Sequence, residues 1–234
     1  MKKNEIPGLS IEITRKCNMK CSHCMRGSSR NVNIKPEYIT NVLRHARRIR
    51  YLNITGGEPS MNVDAIKFIL TQLKRRKITV DRFQIITNGS ETAVSEEFIG
   101  ICSKLYAYQQ EKPDKDQNQA MLEMSNDKYH DEQLQTKAFE KLSKYPFFSN
   151  RYTTTTNGVP LIKQGRSKTG YELWENTISL FSDEVEGYIY LNALGYIISA
   201  SDFSYRNQDK HRICHSNKLM DYLKSKQTKS LYSR

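Results

Sequence analysis

Six short runs rich in apolar, β-branched or aromatic residues recur along this chain, at positions 9–14, 50–55, 82–87, 120–125, 151–156 and 188–192. Segments with helical spacing lie between most of them. Ile39, Val42, Leu43, Ala46 and Ile49 share one helical face, as do Val63, Ile66, Ile69, Leu70 and Leu73, and then Leu134, Ala138 and Leu142. A third helix is predicted after Ser95, whose hydroxyl suits an N-cap and is followed by Glu96 and Glu97 in the first turn, where negative charge meets the positive end of the helix dipole. Strand and helix alternating in this order imply a parallel sheet with helices packed on its outside. The fold expected is α/β, a partial (β/α)6 TIM-like barrel with parallel strands and a short C-terminal extension.

Polar and glycine-rich sequences follow the strands: Gly56-Gly57-Glu58-Pro59 after the second, Asn88-Gly89 after the third, Asn126-Asp127 after the fourth. In a parallel barrel the loops at the strand C-termini form the functional rim, so the unusual residues gather on one side of the molecule.

A length of 234 residues suits one domain or two small ones, and a chain of that size buries a core without disulfide staples. Its 37% apolar and 10% aromatic content excludes general disorder. No run approaches the roughly 18 apolar residues of a membrane span. The first nine residues lack the apolar stretch of a secretory signal, so a soluble, cytoplasmic protein without membrane attachment is expected. The net charge is +12, and the segment 205–234 carries eight basic and two acidic residues, half of the excess. The expected organisation is a barrel domain over 1–200 and a basic C-terminal extension over 201–234. The excess permits an acidic partner, nucleic acid included, but no nucleic-acid module is visible and the 14 tyrosines are spread rather than interleaved with arginine.

There are five cysteines, an odd number that does not suit a secreted disulfide framework. Three of them crowd into Cys17-Asn-Met-Lys-Cys21-Ser-His-Cys24, a spacing fit for ligands round one metal centre. Three thiolates on a [4Fe–4S] cube leave one iron open to a small molecule. Zinc is the alternative; structural zinc is normally closed by four ligands, and His23 would have to turn inward beside both flanking thiolates to complete the set. Cys102 shares a helical face with Phe98, Ile101 and Leu105 and is expected in the core. Cys214 has no visible metal-binding companions.

Taken together, Cys-x3-Cys-x2-Cys after a first strand, Gly-Gly-Glu-Pro after a second and Thr-Asn-Gly after a third resemble the radical S-adenosylmethionine (radical SAM) superfamily, over roughly residues 9 to 200. The resemblance implies that Cys17, Cys21 and Cys24 hold a [4Fe–4S] cluster whose open iron chelates the amino and carboxylate groups of S-adenosylmethionine. It implies that His23, where the family usually has an aromatic residue, lies near the adenine. Gly56 and Gly57 would admit the methionyl end, with the Glu58 segment on its ammonium and Asn88 in the neighbouring Thr-Asn-Gly loop. Ser125, assisted by Asn126 or Asp127, would meet the ribose; Asp127 could equally cap the next helix. Gly165-Arg166-Ser167 is similar to a Gly-Arg-Ala loop of several members, placing Arg166 at the cofactor or substrate rim.

The family's chemistry is reductive cleavage of S-adenosylmethionine to methionine and a 5′-deoxyadenosyl radical, which abstracts hydrogen from a substrate. A flavodoxin or ferredoxin is the implied low-potential electron donor, and the substrate is a peptide, a protein or a small molecule. The stretch 190–202 looks like the start of the cysteine-rich extension of the SPASM-type, peptide-modifying branch, with Ser201 about where a cysteine stands there; a reduced relative with one cluster is expected. Two other functions are compatible with the motifs: a cluster- or zinc-dependent binding module, with RNA as a candidate target, and an activase that installs a glycyl radical in a partner enzyme.

Overall fold

The structure, a computed structural model, describes residues 3–111, 120–125, 127, 129–130, 132–151, 161–173 and 175–227. Its elements run β1 (Asn4–Thr14), α1 (Pro36–Leu43), β2 (Ala46–Gly56), α2 (Val63–Arg76), β3 (Thr79–Thr87), α3 (Glu96–Gln110), β4 (Leu122–Ser125), α4 (Glu132–Leu142), β5 (Phe148–Arg151), β6 (Ser179–Phe181), β7 (Glu184–Glu186), β8 (Tyr188–Leu191), β9 (Tyr196–Ile198), α5 (Tyr205–Gln208), β10 (Arg212–His215) and α6 (Leu219–Ser225). The main sheet has the order β10-β9-β8-β1-β2-β3-β4-β5. The six strands from β8 to β5 are all parallel to their neighbours, an α/β half-barrel arrangement; β9 and β10 are added antiparallel at one edge.

The two faces of this sheet differ chemically, and β2 shows why. Leu52 and Ile54 are fully buried and join Leu9, Ile11, Ile13, Phe83, Ile85 and Leu122 in a core shared with the helix residues Ile39, Ile66, Ile69, Phe98 and Leu105. Tyr51, Asn53 and Thr55 alternate with them and are only half-buried on the helix-free face. A parallel sheet covered on both sides would show near-continuous apolar runs; this alternation marks a sheet whose second face is wet.

Several boundaries depart from the periodicity. The first helix ends at Leu43, and Ala46 and Ile49 belong to β2 although they keep helical spacing. Sheet pairing decides this: Ala46, Ile49 and Leu52 are buried at a spacing of three, alternation by twos begins only at Leu52, and Ala46 and Ile49 are held in the strand by their partners Asn4, Ile6 and Val80. The fifth strand lies earlier than expected, at Phe148–Arg151, beside β4; positions 152–156 fall outside the described residues, as does Asn126. Among the described residues no helix connects β5 to β8; the β6–β7 hairpin intervenes, and β7 touches β1 at Glu5. No helix among the described residues is long and apolar enough to cross a membrane.

Residues 201–227 join the same sheet and core. β10 pairs with β9, Leu219, Met220 and Leu223 are buried in the main cluster, and Gln208 is fully buried. The basic side chains of residues 201–227 therefore decorate a packed element.

Candidate active site

The cysteine loop leaves the C-terminal end of β1, and its position is set by buried charge just before it. Glu12 and Arg15 are both without exposure, paired at 2.8 Å. Glu12 also accepts from Tyr190 Oη (2.8 Å), Gln208 Nε2 (2.7 Å) and the Ala193 N–H (3.1 Å). Arg15 donates to Gln208 Oε1 at 2.6 Å and stacks over the Tyr205 ring. Two charges are tolerated without water because nearly every polar atom has a partner. Neither residue stood out as functional in the sequence; the signal was there, as charges set in the otherwise apolar alternation of β1.

The backbone then turns against the loop after β2. Gly57 N–H donates to Thr14 O (2.9 Å) and Glu58 N–H to Lys16 O (2.8 Å). A Cβ at Gly57 would lie 2.2 Å from Lys16 O, and one at Gly56 would lie 2.6 Å from Thr14 O. The space freed by these glycines is thus taken by the chain's own cysteine loop.

Glu58 is similarly turned toward the protein. Its carboxylate is buried and accepts from Ser60 N–H, Ser60 Oγ, Thr87 Oγ1 and the Asn88 N–H, at 2.7 to 3.1 Å. Burial pushes its pKa up and these bonds pull against that. What remains of this segment for a ligand's ammonium is backbone carbonyl. Asn88 completes the junction: its Nδ2 donates to Asn18 Oδ1 at 3.0 Å and lies 3.8 Å from Cys17 Sγ, while its Oδ1 accepts from Ser90 N–H. Burial raises the Cys17 thiol, with Glu58 and the two other thiols acting in the same direction.

Cys17, Cys21 and Cys24 are free thiols, each half-buried. Cys102 is fully buried in α3, and burial drives its thiol far up; Cys214 is half-buried against the core and raised to about 11. The donor set at the rim is therefore three thiols, which fits a [4Fe–4S] cluster with one iron left for a second ligand. No fourth cysteine is placed to close it.

Arg166 comes from the long connection after β5 and holds the far side of the loop. Its Nε donates to Cys21 O (2.9 Å) and its backbone N–H to Cys24 O (2.9 Å). Gly165, at φ +59°, sits where a Cβ would be 2.3 Å from Met25 O. The guanidinium is engaged with the cysteine loop itself.

His23 stacks on Tyr129 with ring centres 4.3 Å apart and meets His130 edge-on at 5.6 Å. Burial lowers its pKa against the attraction of Asp127. Asp127 accepts from His130 Nδ1 (2.8 Å) and Tyr129 N–H (2.9 Å), a turn within its own segment; among the described residues no helix cap involves it. Burial opposes charge on both partners, yet their hydrogen bond prevails: Asp127 titrates below the ordinary carboxylate range, and His130, also bonded toward Cys21, is raised to about 9. Ser125 ends β4, and among the described residues its hydroxyl has no partner while its carbonyl accepts from Gln135 Nε2.

Below this rim lies the helix-free face. Ser10 bonds Tyr188 Oη at 3.1 Å, Tyr51 Oη donates to Gln84, and Gln84 donates to Glu123 at 2.8 Å. Arg82 and Arg151 approach Glu123 at 3.8 and 3.9 Å. Asn53 Oδ1 and Arg82 Nε are buried without hydrogen-bond partners among the described residues.

Residues 11–161 match the family model described as the radical SAM superfamily. Among curated proteins, a probable GTP 3′,8-cyclase of Thermococcus kodakarensis is 34% identical over 90 residues, covering 36% of this chain and 28% of that one. The molybdenum cofactor biosynthesis protein 1 of Drosophila melanogaster is 32% identical over 88 residues, 35% of this chain and 15% of that one. The chain therefore spans under a third of the length of these relatives. Among solved structures, native anSMEcpe with bound AdoMet and Kp18Cys peptide superposes with a TM-score of 0.53 at 12% identity, covering 94% of this chain and 80% of that one. The histidine-tagged form of the same protein with bound AdoMet gives 0.52 at 12% identity over 93% and 80%.

Proposed function

The chain belongs to the radical SAM superfamily, and from that premise we propose that it abstracts a hydrogen atom from a polar substrate held on the helix-free face of its sheet. It is an enzyme, and its cofactors are a [4Fe–4S] cluster and S-adenosylmethionine. When bound, the cluster supplies the electron that splits S-adenosylmethionine into methionine and a carbon-centred radical.

The observation that carries the proposal is the junction at Asn88, whose side chain bonds the cysteine loop while its N–H bonds Glu58. Three segments remote in sequence meet there through hydrogen bonds, buried on the Glu58 side and partly open on the Asn18 side. Cys17, Cys21 and Cys24 would hold three irons. The stacked His23 and Tyr129 rings offer a flat edge suited to adenine, and the free Ser125 hydroxyl suits a ribose. The backbone from Gly56 to Glu58 would take the ammonium. Arg166 positions the loop through the Cys21 and Cys24 carbonyls rather than touching the cofactor.

For the substrate, the lining of the helix-free face is the guide. Tyr51, Asn53, Gln84, Glu123 and Tyr188 offer both donors and acceptors, and the unpartnered Asn53 Oδ1 and Arg82 Nε add one of each. Convergent polar groups select a hydrogen-bonding substrate. The GTP 3′,8-cyclases are small-molecule enzymes by name, and a polar small molecule fits this lining; a low-potential electron carrier completes the reaction.

Anaerobic reconstitution tests the assignment. About four irons per chain and release of 5′-deoxyadenosine on reduction with dithionite are expected. One zinc per chain, or a well-reconstituted, reduced sample that leaves S-adenosylmethionine intact, would overturn it.

A further inference from the structure

Outside the rim just described, the cysteine loop forms one wall of a concavity of about 710 Å³. Its other walls are the segment around Arg166 and the turn from Ser204 to Lys210. Seven of its lining residues are Lys or Arg, and none is Asp or Glu. Arg30 and Lys163 are paired with Asp209 (3.4 Å) and Glu172 (3.0 Å) just beyond the lining. Lys168, Arg206 and Lys210 are exposed and have no ion pair among the described residues. Such a concentration of one sign creates a positive field at one spot of the surface.

The place of this groove is informative. Arg26 follows Cys24 by two residues and is buried; it donates to Phe203 O (2.8 Å), and its carbonyl accepts from Tyr205 N–H. Gly27 N–H returns to Cys24 O, which also accepts from Arg166. The groove floor and the cysteine loop are thus one piece of backbone. A small anion is usually gripped by buried donors converging on it. Here the buried Arg26 and half-buried Arg166 spend hydrogen bonds on backbone carbonyls, and the uncommitted cations sit on long, exposed side chains along the lip. That pattern suits a broad acidic surface.

We propose that this groove docks an acidic one-electron carrier protein that reduces the cluster from the outer side of the cysteine loop. The proposal rests on the radical SAM function above and adds the entry side for the electron. The carrier's reduced flavin or iron–sulfur centre loses one electron and the cluster gains it; no bond or proton moves. Long-range attraction between opposite surfaces raises association rates and falls with salt.

The test uses the reconstituted enzyme and its triple variant Lys168→Glu, Arg206→Glu, Lys210→Glu, with a reduced, acidic flavodoxin as probe. These side chains make no ion pairs among the described residues, so the variant keeps its iron content. Expected is a loss of flavodoxin affinity of about tenfold or more at low salt, with the salt dependence flattened. Release of 5′-deoxyadenosine driven by dithionite stays at the parental rate, while the flavodoxin-driven rate falls. Unchanged flavodoxin affinity and flavodoxin-driven rate would overturn the proposal. So would a variant that loses binding of inorganic tripolyphosphate or of a single-stranded RNA but keeps its flavodoxin affinity. If the parent itself releases no 5′-deoxyadenosine with dithionite, the enzymatic assignment fails; flavodoxin affinity, read separately, still reports on the groove.

Discussion

Arg15 donates its Nη2 hydrogen to Oε1 of Gln208 at 2.6 Å, across 193 residues of chain. The same glutamine gives its Nε2 hydrogen to Glu12. The residues immediately before the cysteine loop are in this way anchored to the C-terminal segment inside a volume that excludes water.

Glu12→Ala removes the buried carboxylate that neutralises Arg15 and leaves its guanidinium only Asp209, at 3.9 Å, as an ionic partner. A loss of about 3 to 5 kcal/mol is expected, enough to threaten folding. Gln208→Ala leaves the ion pair but orphans two of its donors and acceptors, at about 1 to 3 kcal/mol. Urea unfolding of both variants measures the difference; equal losses would mean that Glu12 contributes no more than a neutral hydrogen-bonding partner.

Gly57→Ala places a methyl 2.2 Å from the Lys16 carbonyl oxygen. The cysteine loop must shift, so reconstituted iron content is expected to fall while the circular dichroism of the sheet and helices persists. Gly100→Ala is the matched control: its Cβ would meet nothing within 4 Å, and α3 gains about 0.5 to 1 kcal/mol from a better helix former.

Glu58→Gln exchanges one acceptor oxygen for an amide that faces donors. At least one of the Ser60, Thr87 and Asn88 bonds is lost, with an expected cost of about 1 to 3 kcal/mol by thermal or denaturant unfolding. If stability were untouched while S-adenosylmethionine affinity fell, the carboxylate would be a ligand contact rather than the brace seen here.

Each of Cys17→Ala, Cys21→Ala and Cys24→Ala is expected to abolish cluster binding. Cys102→Ala, fully buried in α3, is expected to keep iron and lose only packing, about 1 kcal/mol. Iron analysis after reconstitution separates the two groups.

His45 is held neutral, its pKa lowered to about 4 by burial and then by Arg44, whose Nε donates to its ring at 3.0 Å. The folded value lies below the unfolded value of about 6.5. Its contribution is therefore fully present above pH 6.5 and lost as pH falls from 6.5 through 4, when the ring must take a proton. Partial solvent screening trims the effect to about 1 to 2 kcal/mol. His45→Gln, which keeps an acceptor, should show a shallower loss of stability over that window in urea titrations at successive pH values.

The fifth strand aside, periodicity located the parallel strands, α2 and α4 and, with the Ser95 cap, α3, because an amphipathic helix or a half-buried strand is a repeating local pattern. It failed at Ala46 and Ile49, where an apolar spacing of three carries across a helix end into a strand and only the sheet contact distinguishes them. The cysteine trio was legible because its three ligands are neighbours in sequence.

What the sequence by itself determined is the order of strand and helix, the rim on which the motifs fall, and the family. The tertiary structure alone decided which groups those residues meet. Glu58 and Arg166 face the protein, Gly57 yields to Lys16, and the turn around Phe203 to Lys210 is packed beside the cysteine loop. The physical reason is common to all of them. A motif declares residue types, whereas the direction of a buried carboxylate or guanidinium is set by whichever donors and carbonyls, brought in from distant segments, can satisfy it away from water.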